Sequence, residues 1–215
     1  MATIFLSAGH GGRDPGAVAN GLYEKTINLN VLLACKSELE RHGIKVVCSR
    51  LKDDNDPVSQ EVNEANASNA SLAISFHINA GGGNGFEAFY YKTSANGKKL
   101  ASLCEKYVKS LGQNSRGIKS GDHLYFIKKT AMTAVLVESF FLDNADDKNI
   151  GDTLSEQSAF GVAYAKAILE YFGITYKEAP SKKVYRVQVG AYGDKSNAEA
   201  MRKKLQGCGF DGIIV

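Results

Sequence analysis

No run in this chain approaches eighteen consecutive apolar residues, which excludes a membrane-spanning helix. Proline is scarce, 3 in 215 residues, and 44% of the residues are apolar, so the composition is neither that of a disordered chain nor that of a collagen-like one. Neither charge dominates: 26 basic residues face 23 acidic ones. The formal charge of +3 is too small to argue for nucleic acid, and no basic stripe interleaved with aromatics appears. Cys35, Cys48, Cys104 and Cys208 include no C-x-x-C pair. They read as reduced, mostly buried thiols rather than a disulfide framework. The start, Met1 to Phe5, has no basic segment and runs into Arg13 and Asp14, so no standard signal peptide is expected. The expectation is a chain made in the cytoplasm and not exported by the usual route.

The first 172 residues alternate between short β-rich runs and longer helical patterns, which predicts an α/β fold with a twisted, mostly parallel sheet flanked by helices. Strands are expected at Thr3 to Ser7, Lys45 to Ser49, Leu72 to Ile78, Phe86 to Tyr91, Leu124 to Ile127 and Ala134 to Val137. Helices are expected at Glu24 to His42, Val58 to Asn69, Gly97 to Leu111 and Ser155 to Phe172, two of them closed by Gly43 and Gly173. Residues 174–183 carry no periodicity and read as a linker. Beyond it a strand pattern (Val184 to Val189), a helix (Asn197 to Gln206) and a short run (Gly212 to Val215) make one β-α-β unit, too small to stand alone.

Ligands in open α/β sheets gather outside the carboxyl ends of strands, so polar residues there matter most. His10 follows the first strand in Ser7-Ala8-Gly9-His10-Gly11-Gly12, uncovered as a metal ligand or a base requires. His77 ends the apolar strand Ala73-Ile74-Ser75-Phe76-His77, either as a satisfied core histidine or as a ligand. Glu138 directly follows Val135-Leu136-Val137; burying it unpaired costs several kcal/mol, so it should be paired, metal-associated or facing a cleft. Glu24 opens the first long helix, where the helix dipole alone would favour an acid. His42 suits a helix C-terminus, His123 is a reserve ligand in a polar loop, and Asp53, Asp54 and Asp56 read as a solvated turn. Two histidines and two glutamates fit a mononuclear zinc hydrolase, in which three N or O ligands leave a position for water and a free carboxylate serves as base.

These residues sit in four ordered blocks: Leu6-Ser7-Ala8-Gly9-His10-Gly11-Gly12 with Asp14-Pro15-Gly16-Ala17; Glu24-Lys25 with Asn28-Leu29; Ser75-Phe76-His77-Ile78-Asn79-Ala80; and Val135-Leu136-Val137-Glu138. Over residues 1 to about 172 the chain resembles the zinc-dependent N-acetylmuramoyl-L-alanine amidases often called amidase 3, found in bacterial cell-wall hydrolases and phage endolysins. The resemblance implies zinc as cofactor, His10, Glu24 and His77 as its ligands, and Glu138 as the general base. It also implies peptidoglycan as partner, with cleavage of the amide between N-acetylmuramic acid and L-alanine, and action at the wall after release from the cell, as an endolysin or autolysin. Alternatives with the same ligand set are a zinc carboxypeptidase acting on stem peptides and a non-catalytic wall-binding protein. The chain departs from the family pattern at Glu61, where relatives commonly carry Arg, and at Phe140, where they usually show Gly.

From Val184 the chain resembles the first half of a SPOR module, in Val187-Gln188-Val189-Gly190-Ala191-Tyr192 and Asn197-Ala198-Glu199-Ala200. The expected layout is a catalytic domain over residues 1–173, a linker over 174–183 and a wall-binding or dimerisation unit over 184–215. The charge divides accordingly, with seven basic and three acidic residues from 181 onward, suited to anionic wall polymers. Pairing of two such tails would give a homodimer.

Overall fold

The computed structural model describes residues 2–179 and 188–207, in two compact units, 1–177 and 178–215. The first unit runs β1 (Thr3–Ala8), β2 (Val18–Ala19), β3 (Leu22–Tyr23), α1 (Glu24–Arg41), β4 (Lys45–Cys48), α2 (Val58–Ala67), β5 (Leu72–Asn79) and β6 (Phe86–Tyr90). It continues through α3 (Ala95–Lys109), β7 (Ser115–Ser120), α4 (Tyr125–Lys129), β8 (Thr133–Phe141), α5 (Ala145–Lys148) and α6 (Leu154–Tyr171).

Helix ends follow local chemistry. Thr153 and Glu156 form a reciprocal capping box at the start of α6, and Ser94 accepts from Gly97 N to open α3. Gly43 and Gly173, with φ of 77° and 70°, release α1 and α6. Ile44 and Ile174 then return their N–H groups to Leu39 and Leu169.

The sheet order is β4-β1-β5-β8-β6-β7. The first four strands are mutually parallel, as the alternating pattern predicts, while β6 runs antiparallel to β8 and carries β7 parallel to itself. One sheet face supplies Ile4, Leu6, Ile74, Phe76, Val135 and Val137 to the larger core beneath α1, α3 and α6. The opposite face supplies Phe5, Ala73 and Leu136 to a smaller core under α2 and α4. Helices α1 and α6 approach closely at Gly161, where an added Cβ would lie 2.5 Å from Val31 O.

Two expectations fail. Leu124 to Ile127 is not a strand: Tyr125–Lys129 is the single-turn helix α4, burying Phe126 and Ile127. A four-residue apolar run fits either structure. Strand β7 escaped detection because Ser115-Arg116-Gly117-Ile118-Lys119-Ser120 is a polar, half-exposed edge with a glycine inside. In the expected linker, Ile174 and Tyr176 pack on the larger core. In the second unit the described residues form one helix, α7 (Lys195–Gly207), none of whose residues is buried. The strands expected at Val184 to Val189 and Gly212 to Val215 lie wholly or mostly outside the described residues.

Candidate metal centre

The loop after β1 is built to present an imidazole. Gly9 faces the His77 ring, and a Cβ there would lie 2.1 Å from His77 Cε1. His10 adopts φ 64°, a left-handed conformation uncommon for a residue with a side chain. A tight bridge between Gly11 and Asp14 follows, with reciprocal backbone bonds of 2.9 and 3.0 Å. Asp14 Oδ2 lies 2.8 Å from His10 Nδ1, while its Oδ1 accepts from Gly16 N. From below, the buried Arg50 donates to the carbonyls of Ala8, Gly9 and Lys25 and so ties the loop to α1.

Glu24 comes from the opposite direction, as the first residue of α1, and is buried. Its Oε2 accepts from Ala17 N and its Oε1 from Ile78 N, while Asn28 Nδ2 lies 3.3 Å from Oε1. Both imidazoles meet the same oxygen, His10 Nε2 at 3.3 Å and His77 Nδ1 at 3.1 Å. Donor atoms of His10, Glu24 and His77 all lie within 4.8 Å of one another. Burial pushes the Glu24 carboxyl upward, but the two imidazoles outweigh it and hold it well below the usual carboxylate range. His10 is raised to about 9, chiefly by its bond to Glu24 and against the effect of burial, with Asp14 adding to the rise. Burial presses His77 downward, and Glu24 and Glu138 overcome it.

Glu138 stands beside this group without joining it. It pairs in register with His77 across β5 and β8, and its Oε2 is shut off from solvent with no hydrogen-bond partner among the described residues. Burial raises its carboxyl to about 7; His77 pulls it down, whereas Glu24 and Glu87 push it up. All four residues singled out in the sequence therefore converge, at the carboxyl ends of β1, β5 and β8. The reserve ligand His123 does not: it is exposed, edge-on to Phe89. His42 bonds Glu38 O at the end of α1 and accepts from Lys177 N. Of the acidic turn, Asp53 and Asp54 are exposed, Asp53 pairing with Lys25, but Asp56 is buried.

A model of the N-acetylmuramoyl-L-alanine amidase family matches residues 4–170. The chain belongs to that family. A SPOR domain model matches residues 163–215, starting inside α6. The chain is 32% identical to the sporulation-specific N-acetylmuramoyl-L-alanine amidase of Bacillus subtilis (strain 168), across 100% of this chain and 85% of that protein. It is 37% identical to the endolysin of Bacillus phage SPP1, across 83% and 69% of the two chains. Among solved structures, the catalytic domain of the amidase CwlV from Bacillus (Paenibacillus) polymyxa var. colistinus superposes with a TM-score of 0.75 at 32% identity, covering 81% of this chain and 100% of that one. The protein is an N-acetylmuramoyl-L-alanine amidase, an enzyme that hydrolyses the amide between N-acetylmuramic acid and L-alanine in peptidoglycan. No helix among the described residues is long and apolar enough to cross a membrane.

The amidase also explains both departures from the family pattern. Glu61 is buried on α2 and accepts from Ser7 Oγ at 2.6 Å. Phe140 fills the larger core against Phe160, its ring lying where a Cβ on Gly151 would otherwise sit. Asp14 and Asn28 lie inside the sequence motifs but carry no role legible there, and Arg50 and Glu87 lie outside them. Arg50 gave no signal, since an arginine after a strand is ordinarily exposed. Glu87 did, as an acid inside the otherwise apolar Phe86 to Tyr91.

Proposed function

We propose that the amidase holds zinc between His10, Glu24 and His77 and that Glu138 is its general base. The donor set fits the ion: two imidazoles and one carboxylate converge, and each ligand is oriented by further bonds, His10 through Asp14 and Glu24 through Ala17 N and Ile78 N. Zinc bound there supplies Lewis acidity and a water that ionises near neutral pH. His10 and His77 give up the protons they share with Glu24 when the ion is loaded. Glu138 takes the proton of the attacking water and returns it to the departing L-alanine nitrogen.

The observation that carries this reading is the Glu138 carboxyl. Among the described residues it is the one acid beside the centre with an unpartnered, shielded oxygen, placed opposite His77 as a base at the centre would be. Glu138→Gln should lower turnover of purified peptidoglycan by about 10²- to 10⁴-fold. Elemental analysis should still find the native zinc content in that variant. Activity equal to native would overturn the role. His10→Ala should lose the metal, and mass spectrometry should find peptides with free L-alanine amino ends, rather than trimmed stem peptides, as the products.

The SPOR-related segment supplies wall binding in this reading, with two copies pairing through α7. What supports it is the stripe Ala198, Met201 and Leu205 on α7, which remains only half-buried. A strictly monomeric protein by light scattering would refute the pairing.

A further inference from the structure

Four residues on adjacent strands form one polar row across the sheet. His77 of β5 lies opposite Glu138 of β8, and Glu138 lies opposite Glu87 of β6. A bulge between the pairs Phe86–Ser115 and Ala88–Ile118 then sets Arg116 and Gly117 of β7 against Glu87. Lateral neighbours in a sheet point to the same face. The smaller core occupies that face at Phe5, Ala73 and Leu136, and towards the catalytic end the face turns polar.

Glu87 is buried, and its Oε1 takes both Arg116 Nε and Lys119 Nζ, at 2.5 and 2.6 Å. Asn79 Nδ2 lies 3.5 Å from its other oxygen. The two cations themselves are 45% and 40% exposed, and the Arg116 guanidinium lies over the Phe141 ring at 5.3 Å. Two cations against one acid leave a net positive charge at the rim. Exposed ion pairs contribute little to stability, so a buried acid that fixes two exposed cations is better explained by where it holds them.

We propose that Arg116 and Lys119 form a subsite for a carboxylate of the stem peptide, with Glu87 as its positioning residue. The inference rests on Glu138 marking the reacting end. Adjacent strands lie about 4.8 Å apart, so two strand spacings put Arg116 roughly 10 Å from Glu138. An extended peptide advances about 3.3 to 3.6 Å per residue. Counted from the scissile amide, the carboxylate reached is that of the second or third residue. A guanidinium fixed at Nε still offers its outer donors, the geometry in which Arg binds carboxylates well.

The test uses synthetic N-acetylmuramoyl-L-alanyl peptides in matched pairs, with a free carboxylate or the corresponding carboxamide at the second or the third residue. The native enzyme should cleave the carboxylate member of one pair with a kcat/KM about tenfold higher, the difference lying in KM, as expected for one charge-assisted contact at a half-exposed site. In Arg116→Ala the ratio should fall to about one, and Arg116→Lys should restore part of it. Lys119→Ala should reduce the ratio too, which keeps the test open if Arg116→Ala does not fold. A native ratio near one for both pairs, or variants that lose both members of a pair equally, would overturn the subsite. Such a failure leaves amide cleavage intact, whereas failure of the Glu138 reading appears as full activity in Glu138→Gln.

Discussion

Asp14 tests how much of the proposed zinc site resides outside its proposed ligands. It touches neither Glu24 nor His77, and its side chain is 63% exposed, yet its Oδ2 lies 2.8 Å from His10 Nδ1. That bond fixes which ring nitrogen faces the centre, on a residue whose backbone already sits at φ 64°. Loss of such an orienting carboxylate typically lowers metal affinity 10- to 100-fold, or about 1.4 to 2.7 kcal/mol. The exposure of Asp14 argues for the lower end, about tenfold in Asp14→Ala, because solvent competes for the same nitrogen. Asp14→Asn separates two contributions. An amide oxygen preserves the bond from Gly16 N, and with it the loop, but removes the charge. The assay is zinc competition against a chromophoric chelator at fixed pH, with melting temperatures as a check on the fold. If both variants bind zinc within twofold of native, the loop backbone alone orients His10, and the reasoning is wrong.

Gly9→Ala should be more severe for the metal than for the fold, because its Cβ would meet the His77 ring at 2.1 Å; zinc content after dialysis decides, and full retention would contradict it. Gly161→Ala should lower stability by about 1 to 3 kcal/mol through overpacking of α1 on α6, seen as a fall in the urea midpoint. The metal-free protein should have a distinct pH profile. His10 is raised from 6.5 to about 9, so its contribution is complete below pH 6.5 and is lost as pH rises through 9. Glu24 is depressed, so its contribution is present above its ordinary 4.5 and is lost as pH falls. Stability of the metal-free protein should decline towards pH 9.5, with Glu138, raised from 4.5 to about 7, adding to the loss as it ionises. A urea midpoint that rises over that interval would refute the assignment.

The parts of the fold legible in the sequence were those whose pattern reports burial. Strands β1, β5 and β8 carry apolar runs broken by a single ionisable residue near the carboxyl end, His10 just after β1 and His77 and Glu138 inside β5 and β8, whose continuation past Glu138 to Phe141 the sequence did not show, and that break marked the site. Helices α1 and α6 announced themselves by period and by Gly43 and Gly173. What stayed hidden depended on partners distant in sequence. Edge strand β7 is polar because only one side of it is paired, and α4 is too short to show a period. The importance of Arg50 arises only when residues 8, 9 and 25 come together beneath it. The exchange of a typical Arg for Glu61 was visible as an anomaly, but its resolution, a bond to Ser7 across the smaller core, was not.

The reversal of β6 and β7 has a consequence for altering the enzyme. In the parallel strands, the residues that reach the catalytic end come late, after most of the segment that holds the core. In the reversed pair they come first, at Glu87 and Arg116, with Phe86 beside Glu87 still fixed in the larger core while Arg116 and Lys119 stay half-exposed. The two halves of the rim therefore differ in how freely they can vary. Changes at the ends of β1, β5 and β8 strike the centre itself. Libraries confined to Arg116 and Lys119, both half-exposed, should change which stem peptides are bound while leaving the cutting chemistry in place.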